Sequence, residues 1–107
     1  MKIYNKLVRD RIPEIIAKSG STAKTRILDD QEYQSALLEK LVEEALEVKG
    51  AEGNQKELMK EIGDVLEVID AILLSFELSR QEINTVKAER KKSRGGFDGK
   101  IFLESTA

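Results

Sequence analysis

Two long segments with a helical repeat of apolar residues dominate this sequence, and a short stretch containing Gly50 and Gly53 separates them. The first segment repeats its apolar residues every three or four positions, at Leu37, Leu41, Ala45 and Val48. The second repeats them at Leu58, Ile62, Val65, Ile69, Leu73 and Phe76. This pattern predicts two antiparallel helices with a short connection, which together form a helical hairpin.

Capping signals indicate where the two long helices begin. Asp29 with Glu32, and Asn54 with Glu57, both have the spacing of a capping box. The second helix is apolar nearly all round, apart from Glu67 and Asp70. Such a helix needs neighbours on more than one side, and a single short chain offers few. We therefore expect the protein to self-associate.

Weaker signals lie on either side of the hairpin. RDRIPEIIAKSG predicts a short N-terminal helix, with Pro13 in its first turn, Gly20 just past its end and Asp10 as a candidate cap. The following stretch, STAKTRIL, is either a loop or a short strand. Ser79 begins a further helix with little apolar content, which we expect to fade into an irregular C-terminal tail, KAERKKSRGGFDGKIFL.

Length and composition are consistent with a single all-α domain that spans residues 1–107. The chain has 107 residues, enough for one core and too few for two. Only 5% of the residues are aromatic, whereas 36% are charged and 40% hydrophobic. This favours a helical protein with an aliphatic core over an all-β sandwich.

The residue types that are missing exclude several kinds of chemistry. Cysteine and histidine are both absent, which excludes disulfides, thiolate nucleophiles, imidazole bases and the usual zinc sites. A net charge of -2 offers no general attraction to nucleic acid or to an acidic membrane. The longest apolar run, AILL, is far below the ~20 residues of a membrane span, and no signal peptide is evident. We expect a cytoplasmic protein.

Each long helix carries a pair of acids one turn apart. Glu44 falls inside the apolar stripe of its helix and Glu47 at the edge of that stripe, while Glu61 and Asp64 lie beside apolar residues of the next helix. In an antiparallel hairpin the two pairs are similarly distant from the turn. Solvated surface acids are the common alternative for one such pair. Two pairs on neighbouring helices favour convergence of the four carboxylates.

A convergent group of ionised carboxylates needs either protons or cations. At ~5 Å and an effective dielectric constant near 20, each pair repels by about 3 kcal/mol. A site with only oxygen ligands favours Mg²⁺, with Mn²⁺ as a substitute. Gly63 costs about 1 kcal/mol relative to alanine inside a helix, which predicts a close backbone approach there. Glu43 points about 100° away from Glu44, toward either a bound water or bulk solvent.

Three stretches resemble a known family. EEALE, followed after thirteen residues by EIGD, resembles the EExxE…ExxD signature of the all-α nucleoside triphosphate pyrophosphohydrolases. This MazG-like group also includes phosphoribosyl-ATP pyrophosphohydrolase. YNKLVRDRIPEII resembles the opening of a short single-domain branch of the group, and RGGFDGKIFL resembles its C-terminal segment.

The resemblance implies a fold, a reaction and a set of site residues. It implies a hairpin that forms a four-helix bundle in a homodimer or homotetramer and binds Mg²⁺ at its acidic sites. By this pattern Glu44, Glu47, Glu61 and Asp64 are the metal ligands, and Glu43 contacts a ligand or orients water. Members of the group cleave nucleotides between the α- and β-phosphates, releasing pyrophosphate and a monophosphate. The substrates expected here include non-standard nucleotides.

The reaction fits the residue types that are present. A triphosphate can approach an acidic pocket only if metal ions offset the repulsion, and Glu43 or Glu47 can orient or deprotonate the attacking water. Phosphate oxygens need cationic partners as well. The candidates come from the two ends of the chain, although a solvated loop is the alternative for each: Lys6, Arg9, Lys91, Lys92 and Arg94.

Three other functions stay open. Hydrolysis of phosphoribosyl-ATP is one, although that branch tends to carry a histidine after its second acidic motif and this chain has none. A catalytically silent helical module that binds a partner is another. A nucleic-acid binder is the weakest alternative, because the basic cluster at residues 87–94 lacks interleaved aromatic residues.

Overall fold

The computed structural model describes all 107 residues and contains four α-helices and no strand, which confirms the all-α prediction. The helices are α1 (Ile12–Lys18), α2 (Asp30–Gly50), α3 (Gln55–Ser75) and α4 (Arg80–Arg94). The chain divides into two compact units, Met1–Glu77 with α1 to α3 and Leu78–Ala107 with α4. The single domain over residues 1–107 stays a prediction. None of the four helices is both long enough and apolar enough to cross a bilayer.

Helix α1 is the short N-terminal helix that the sequence predicts. Pro13 lies in its first turn, where its missing N–H leaves no helical hydrogen bond unmade. Arg11 occupies the N-cap position and no side chain caps the helix, so the prediction of Asp10 as a cap is wrong. Residues 21–29 form neither helix nor strand, which identifies STAKTRIL as a loop.

Side-chain caps start both long helices. The Asp29 carboxylate accepts the Glu32 backbone N–H at 2.8 Å, and the Glu32 carboxylate accepts the Asp29 N–H at 3.4 Å, so the capping box is complete. The Asn54 side chain accepts the Glu57 N–H at 3.0 Å at the start of α3. Gly53, between the helices, has a φ of +88°, a left-handed conformation that glycine adopts without a steric penalty.

Helices α2 and α3 pack against each other as the predicted antiparallel hairpin. Near the open end of the hairpin, the Gln34 side-chain amide donates to the Ser75 carbonyl at 3.0 Å. The apolar residues buried in this unit are Leu37, Ala51, Val68 and Leu73. They occupy the positions where the two helices and their connection meet.

Much apolar surface of the hairpin stays exposed. Along α2, Leu38, Val42 and Leu46 recur at intervals of four residues and are 48 to 64% exposed. Along α3, the exposed residues at helical spacing are Met59, Ile62, Leu66 and Leu74. We call these two rows the open stripes. Their exposure in the single chain ranges from 44 to 83%.

Helix α4 is longer than the sequence indicates. The Ser79 hydroxyl accepts the Glu82 N–H at 3.3 Å and caps its start, as predicted. The helix then continues through the basic stretch to Arg94, so the expectation that it fades after Val86 is wrong. Lysine, arginine, alanine and glutamate are strong helix formers, and they sustain it without apolar packing. Residues 95–107 have no regular secondary structure, which confirms an irregular tail.

Removing the cap of α2 tests this account of where the helix starts. Asp29→Ala leaves the Glu32 N–H without its acceptor, and we expect the free energy of unfolding to fall by about 1 kcal/mol. Urea denaturation followed by circular dichroism measures the change. Gln31→Ala, an exposed position two residues on, is the control and should change little. Equal losses in both variants would contradict a role for the cap.

Candidate metal centre

Three of the predicted acids meet where α2 and α3 pack together. Glu44 comes from α2, and Glu61 and Asp64 come from α3, one turn apart. One carboxylate oxygen from each lies within 4.8 Å of the other two. We call these three residues the acidic cluster. Because the two helices are antiparallel, positions at similar distances from the connecting turn lie opposite each other. This places Glu44 of α2 at the level of Glu61 and Asp64 of α3.

One member of the acidic cluster is buried and the other two are half-buried. Glu61 is 8% exposed, and the side chains of Glu44 and Asp64 are 13% and 30% exposed. Carboxylates this close repel one another more strongly when water is excluded. Positive charge must offset that repulsion if all three are to stay ionised.

Each member of the acidic cluster has a basic neighbour. An Arg9 guanidinium nitrogen donates to Asp64 Oδ1 at 2.8 Å. The Lys40 ammonium lies 3.4 Å from Glu44 Oε1, and the Lys60 ammonium lies 3.7 Å from Glu61 Oε1. The partner of Glu61 is the weakest of the three, because Lys60 is mostly solvated and stands beyond hydrogen-bonding distance.

Glu43 stands beside the acidic cluster and has two cationic partners of its own. The ammonium groups of Lys6 and Lys40 donate to Glu43 Oε1 at 3.2 and 3.4 Å. Partial burial raises the pKa of Glu43, but the hydrogen bond from Lys6, the charge of Lys40 and their further interactions together outweigh it. The pKa of Glu43 therefore lies below its ordinary value, and its carboxylate is ionised at neutral pH.

Glu47, the fourth predicted ligand, is not part of the acidic cluster. Its side chain is exposed and lines an adjacent cavity of about 250 Å³. The other lining residues are Gly50, Ala51, Asn54, Glu57 and Glu61. Since Glu61 belongs to both the cavity and the acidic cluster, Glu47 is a neighbour of the cluster. Its roles as a ligand and as a catalytic residue stay predictions.

No other part of this chain approaches Gly63 closely. A Cβ atom built on Gly63 would meet no atom within 4 Å. The expected close backbone contact beside Glu61 and Asp64 is therefore wrong for the single chain. The neighbouring helix packs on the side of α3 that carries Glu61, Val65 and Val68, and Gly63 faces away from it.

The basic residues predicted from the two ends of the chain have different surroundings. Lys6 and Arg9 precede α1 and reach Glu43 and Asp64, as described above. Lys91, Lys92 and Arg94 form the basic last turn of α4 in the second unit, where they favour the helix C-terminus electrostatically. Gly95 and Gly96 follow them directly. Phosphate binding by the α4 residues stays a prediction.

Lys40 is a neighbour of the acidic cluster that the sequence patterns above do not single out. Its side chain is only 15% exposed, and it contacts both Glu43 and Glu44. The signal was available, because residues three and four positions apart face each other on a helix and oppositely charged ones pair there. In a chain with so many charged residues, the sequence alone did not distinguish this lysine from solvated ones.

The donor set of the acidic cluster fits a small hard divalent cation. Three carboxylates supply only oxygen ligands, which Mg²⁺ and Mn²⁺ prefer. Mg²⁺ in nucleotide enzymes is held by few carboxylates together with substrate phosphates and water. Residues Glu44, Glu61 and Asp64 therefore offer the type of ligand atoms that such an ion would need.

Comparison with known proteins gives limited further information. No protein-family model matches the chain, and no solved structure matches it. A stretch of 46 residues is 54% identical to an uncharacterized protein of Mycolicibacterium smegmatis, and it covers 43% of this chain. The matched region is 47% of that protein, so the chain spans about half the length of the curated relative it matches. Membership of the MazG-like group stays a prediction.

The ionisation of Glu43 offers a test of the contacts around the acidic cluster. Lys6→Met removes a hydrogen bond that favours the charged carboxylate, so we expect the pKa of Glu43 to rise. In the wild type, Glu43 adds stability above its ordinary pKa, and this contribution is lost as the pH falls through the lowered pKa. The variant should lose part of that contribution. Carbon-detected NMR titration without Mg²⁺ measures the pKa directly.

Lys2→Met is the matched control for this titration. The Lys2 ammonium lies 5.1 Å from the centre of the Tyr4 ring, in the same N-terminal segment as Lys6. Its removal should leave the pKa of Glu43 unchanged. An unchanged pKa in the Lys6 variant as well would show that the two side chains do not pair in solution.

Proposed function

We propose that this protein is a Mg²⁺-dependent nucleoside triphosphate pyrophosphohydrolase. It hydrolyses the bond between the α- and β-phosphates, giving a nucleoside monophosphate and pyrophosphate, and the substrates we expect include non-standard nucleotides. The observation that carries the proposal is the acidic cluster, in which one buried and two half-buried carboxylates each bring an oxygen within 4.8 Å of the other two. The resemblance of EEALE and EIGD to the pyrophosphohydrolase signature supports the same reaction.

The acidic cluster would hold Mg²⁺ through Glu44, Glu61 and Asp64, with Glu47 contributing from the adjacent cavity. When bound there, the ion supplies the positive charge that lets a triphosphate approach and polarises the phosphorus under attack. The carboxylates cannot bind the phosphates directly, because both are anionic. The chain's remaining contribution is to position the substrate and the attacking water.

Glu43 is better suited to orient the attacking water than to act as a general base that removes its proton. Lys6 and Lys40 hold its carboxylate in place and keep its pKa low. A carboxylate with a low pKa is a weak base, but it accepts a hydrogen bond from water in a defined direction. The proton of the attacking water would be directed toward Glu43 while its oxygen faces the phosphorus.

Basic side chains from the N-terminal segment would contact the phosphates. Lys6 and Arg9 already reach the border of the acidic cluster, where they pair with Glu43 and Asp64. Both side chains are more than 40% exposed, so each can turn to a phosphate oxygen at little cost. Arg9 offers a planar guanidinium that can bind two phosphate oxygens at once. The phosphate contacts that the sequence predicts for Lys91 and Arg94 stay predictions.

The open stripes favour assembly into a homodimer or homotetramer. Two hairpins that pair through these stripes would form a four-helix bundle and remove exposed leucine, isoleucine, valine and methionine from water. On a helix with about 100° per residue, Val42 and Leu46 lie about 160° from Glu44. The surfaces that would pair therefore face away from the acidic cluster.

A nucleotide panel tests the proposed reaction. Purified protein with Mg²⁺ should release pyrophosphate and monophosphate from ordinary or damaged nucleoside triphosphates. Glu44→Gln and Glu61→Gln should each lower kcat/KM by about 100-fold or more, because each removes a charged ligand. Glu67→Gln, an exposed acid on α3 outside the acidic cluster, is the control and should keep full activity.

The products and the substrate separate the rival functions. Orthophosphate as the sole product would exclude hydrolysis between the α- and β-phosphates. Turnover restricted to phosphoribosyl-ATP would identify the alternative enzyme. A silent scaffold would turn over no nucleotide, and its Gln variants would only gain stability in the absence of metal as repulsion is relieved.

Assembly through the open stripes makes a separate prediction. Val42→Lys and Leu66→Lys place charges on surfaces that pairing would bury, and we expect them to shift the sedimentation mass toward the monomer. Val42→Ile and Leu66→Met keep the apolar surface and should keep the wild-type mass. A wild type that sediments as a monomer at micromolar concentration would contradict the predicted bundle.

A further inference from the structure

Lys40 differs from the other basic residues around the acidic cluster. Its side chain is 15% exposed, whereas those of Lys6, Arg9 and Lys60 are 41, 57 and 65% exposed. Its ammonium lies 3.4 Å from Glu44 Oε1 and 3.4 Å from Glu43 Oε1. It is thus the shielded cation of the group, and it bridges a predicted metal ligand and the residue assigned to orient water.

Helix geometry keeps Lys40 at this position. It lies on α2, one turn before Glu43 and Glu44, at the spacings of three and four residues that bring helical side chains together. No loop has to order itself to bring this ammonium to the carboxylates. Because water is largely excluded, its charge acts on the acidic cluster with less screening than a surface charge would.

We propose that Lys40 is a positioning residue that serves as the internal counter-cation of the metal-free site. In the absence of a divalent ion, its ammonium offsets the repulsion among the three carboxylates and holds Glu43 and Glu44 in their functional orientations. This inference rests on the proposed function, since it assigns Lys40 a role toward the same metal and the same water. Lys40 and Mg²⁺ then neutralise overlapping negative charge.

Two opposite effects follow from that overlap. Without Lys40, the metal-free protein has more unbalanced negative charge, so it is less stable and attracts a divalent cation more strongly. At the same time Glu43 loses one of its two ammonium partners, so the attacking water is less well oriented. Metal affinity should therefore rise while kcat falls. General damage to the fold would weaken both.

Lys40→Met is the test variant, because methionine retains most of the aliphatic length and removes the charge. We expect the dissociation constant for Mg²⁺ alone, measured by titration calorimetry, to fall by about tenfold. We expect kcat to fall by about tenfold as well, with saturating Mg²⁺. The melting temperature should drop in the metal-free protein, and the gap to wild type should narrow with saturating Mg²⁺.

Three variants make the comparison specific. Lys60→Met removes the same charge from a solvated position 3.7 Å from Glu61, and it should change the Mg²⁺ affinity less than twofold. Lys40→Arg keeps the charge and should restore the wild-type affinity. Lys40→Gln is a second neutral variant and should repeat the result of Lys40→Met, which guards against poor folding of one variant.

The outcomes separate this inference from the proposed function. Suppose that the wild-type protein binds Mg²⁺ and hydrolyses nucleotides, but the neutral variants bind Mg²⁺ no more tightly than wild type. This result would overturn the role of Lys40 and leave the proposed function standing. Wild-type protein that binds no Mg²⁺ overturns both. Tighter Mg²⁺ binding with a lower kcat in both neutral variants supports the counter-cation.

Discussion

The packing of two helices across a group of carboxylates is the constraint on which the rest of this structure depends. Helix pairs are stabilised by apolar contacts, and here Leu37, Val68 and Leu73 supply them. The same interface contains Glu61, which is as buried as Val68 and Leu73, and Glu44 opposite it. Burying carboxylates costs free energy unless cations accompany them. The basic residues around the acidic cluster are therefore part of what allows the hairpin to close.

The cations that meet this need differ in how firmly they are placed. Lys40 is held by its own helix, while Lys6 and Arg9 come from a segment without regular secondary structure. Exposed ion pairs contribute only about 0 to 1 kcal/mol each, so those of Lys6 and Arg9 can be exchanged for others without loss of the fold. An arrangement with one fixed cation and two exchangeable ones suits the proposed function, in which the site would admit a metal ion and then a polyanion.

Local signals in the sequence were sufficient for the starts of three helices and for the three residues of the acidic cluster. Asp29, Asn54 and Ser79 all cap helices as their spacing indicates, because a cap depends on residues within one turn. Glu44, Glu61 and Asp64 converge as predicted, because an antiparallel hairpin fixes which levels of its helices meet. Asp10 does not cap α1, because Arg11 and not Asp10 occupies the N-cap position of that helix.

Properties that depend on depth of burial could not be read in this way. Lys40 and Lys60 look alike in the sequence, yet their exposure differs about fourfold because only Lys40 lies on the side that faces the neighbouring helix. Gly63 is exposed in the single chain. The helical repeat could not predict this, because it does not tell how far the packing partner extends around α3. The basic end of α4 has no apolar periodicity, so the sequence pattern predicted irregular structure there. Residues with high helix propensity can form a helix without such periodicity.

The placement of the open stripes bears on how assembly and chemistry could coexist in so short a chain. Few apolar residues are buried in one hairpin, so further burial would add to its stability. By helix geometry, the residues of the open stripes lie about 100 to 160° around their helices from Glu44 and Glu61. Association through them would therefore stabilise the hairpin and leave the approach past Lys6 and Arg9 open to a nucleotide. Association on the opposite side would bury the carboxylates further and block that approach. Geometry thus favours an arrangement in which the proposed contact between chains and the proposed contact with substrate would use different faces.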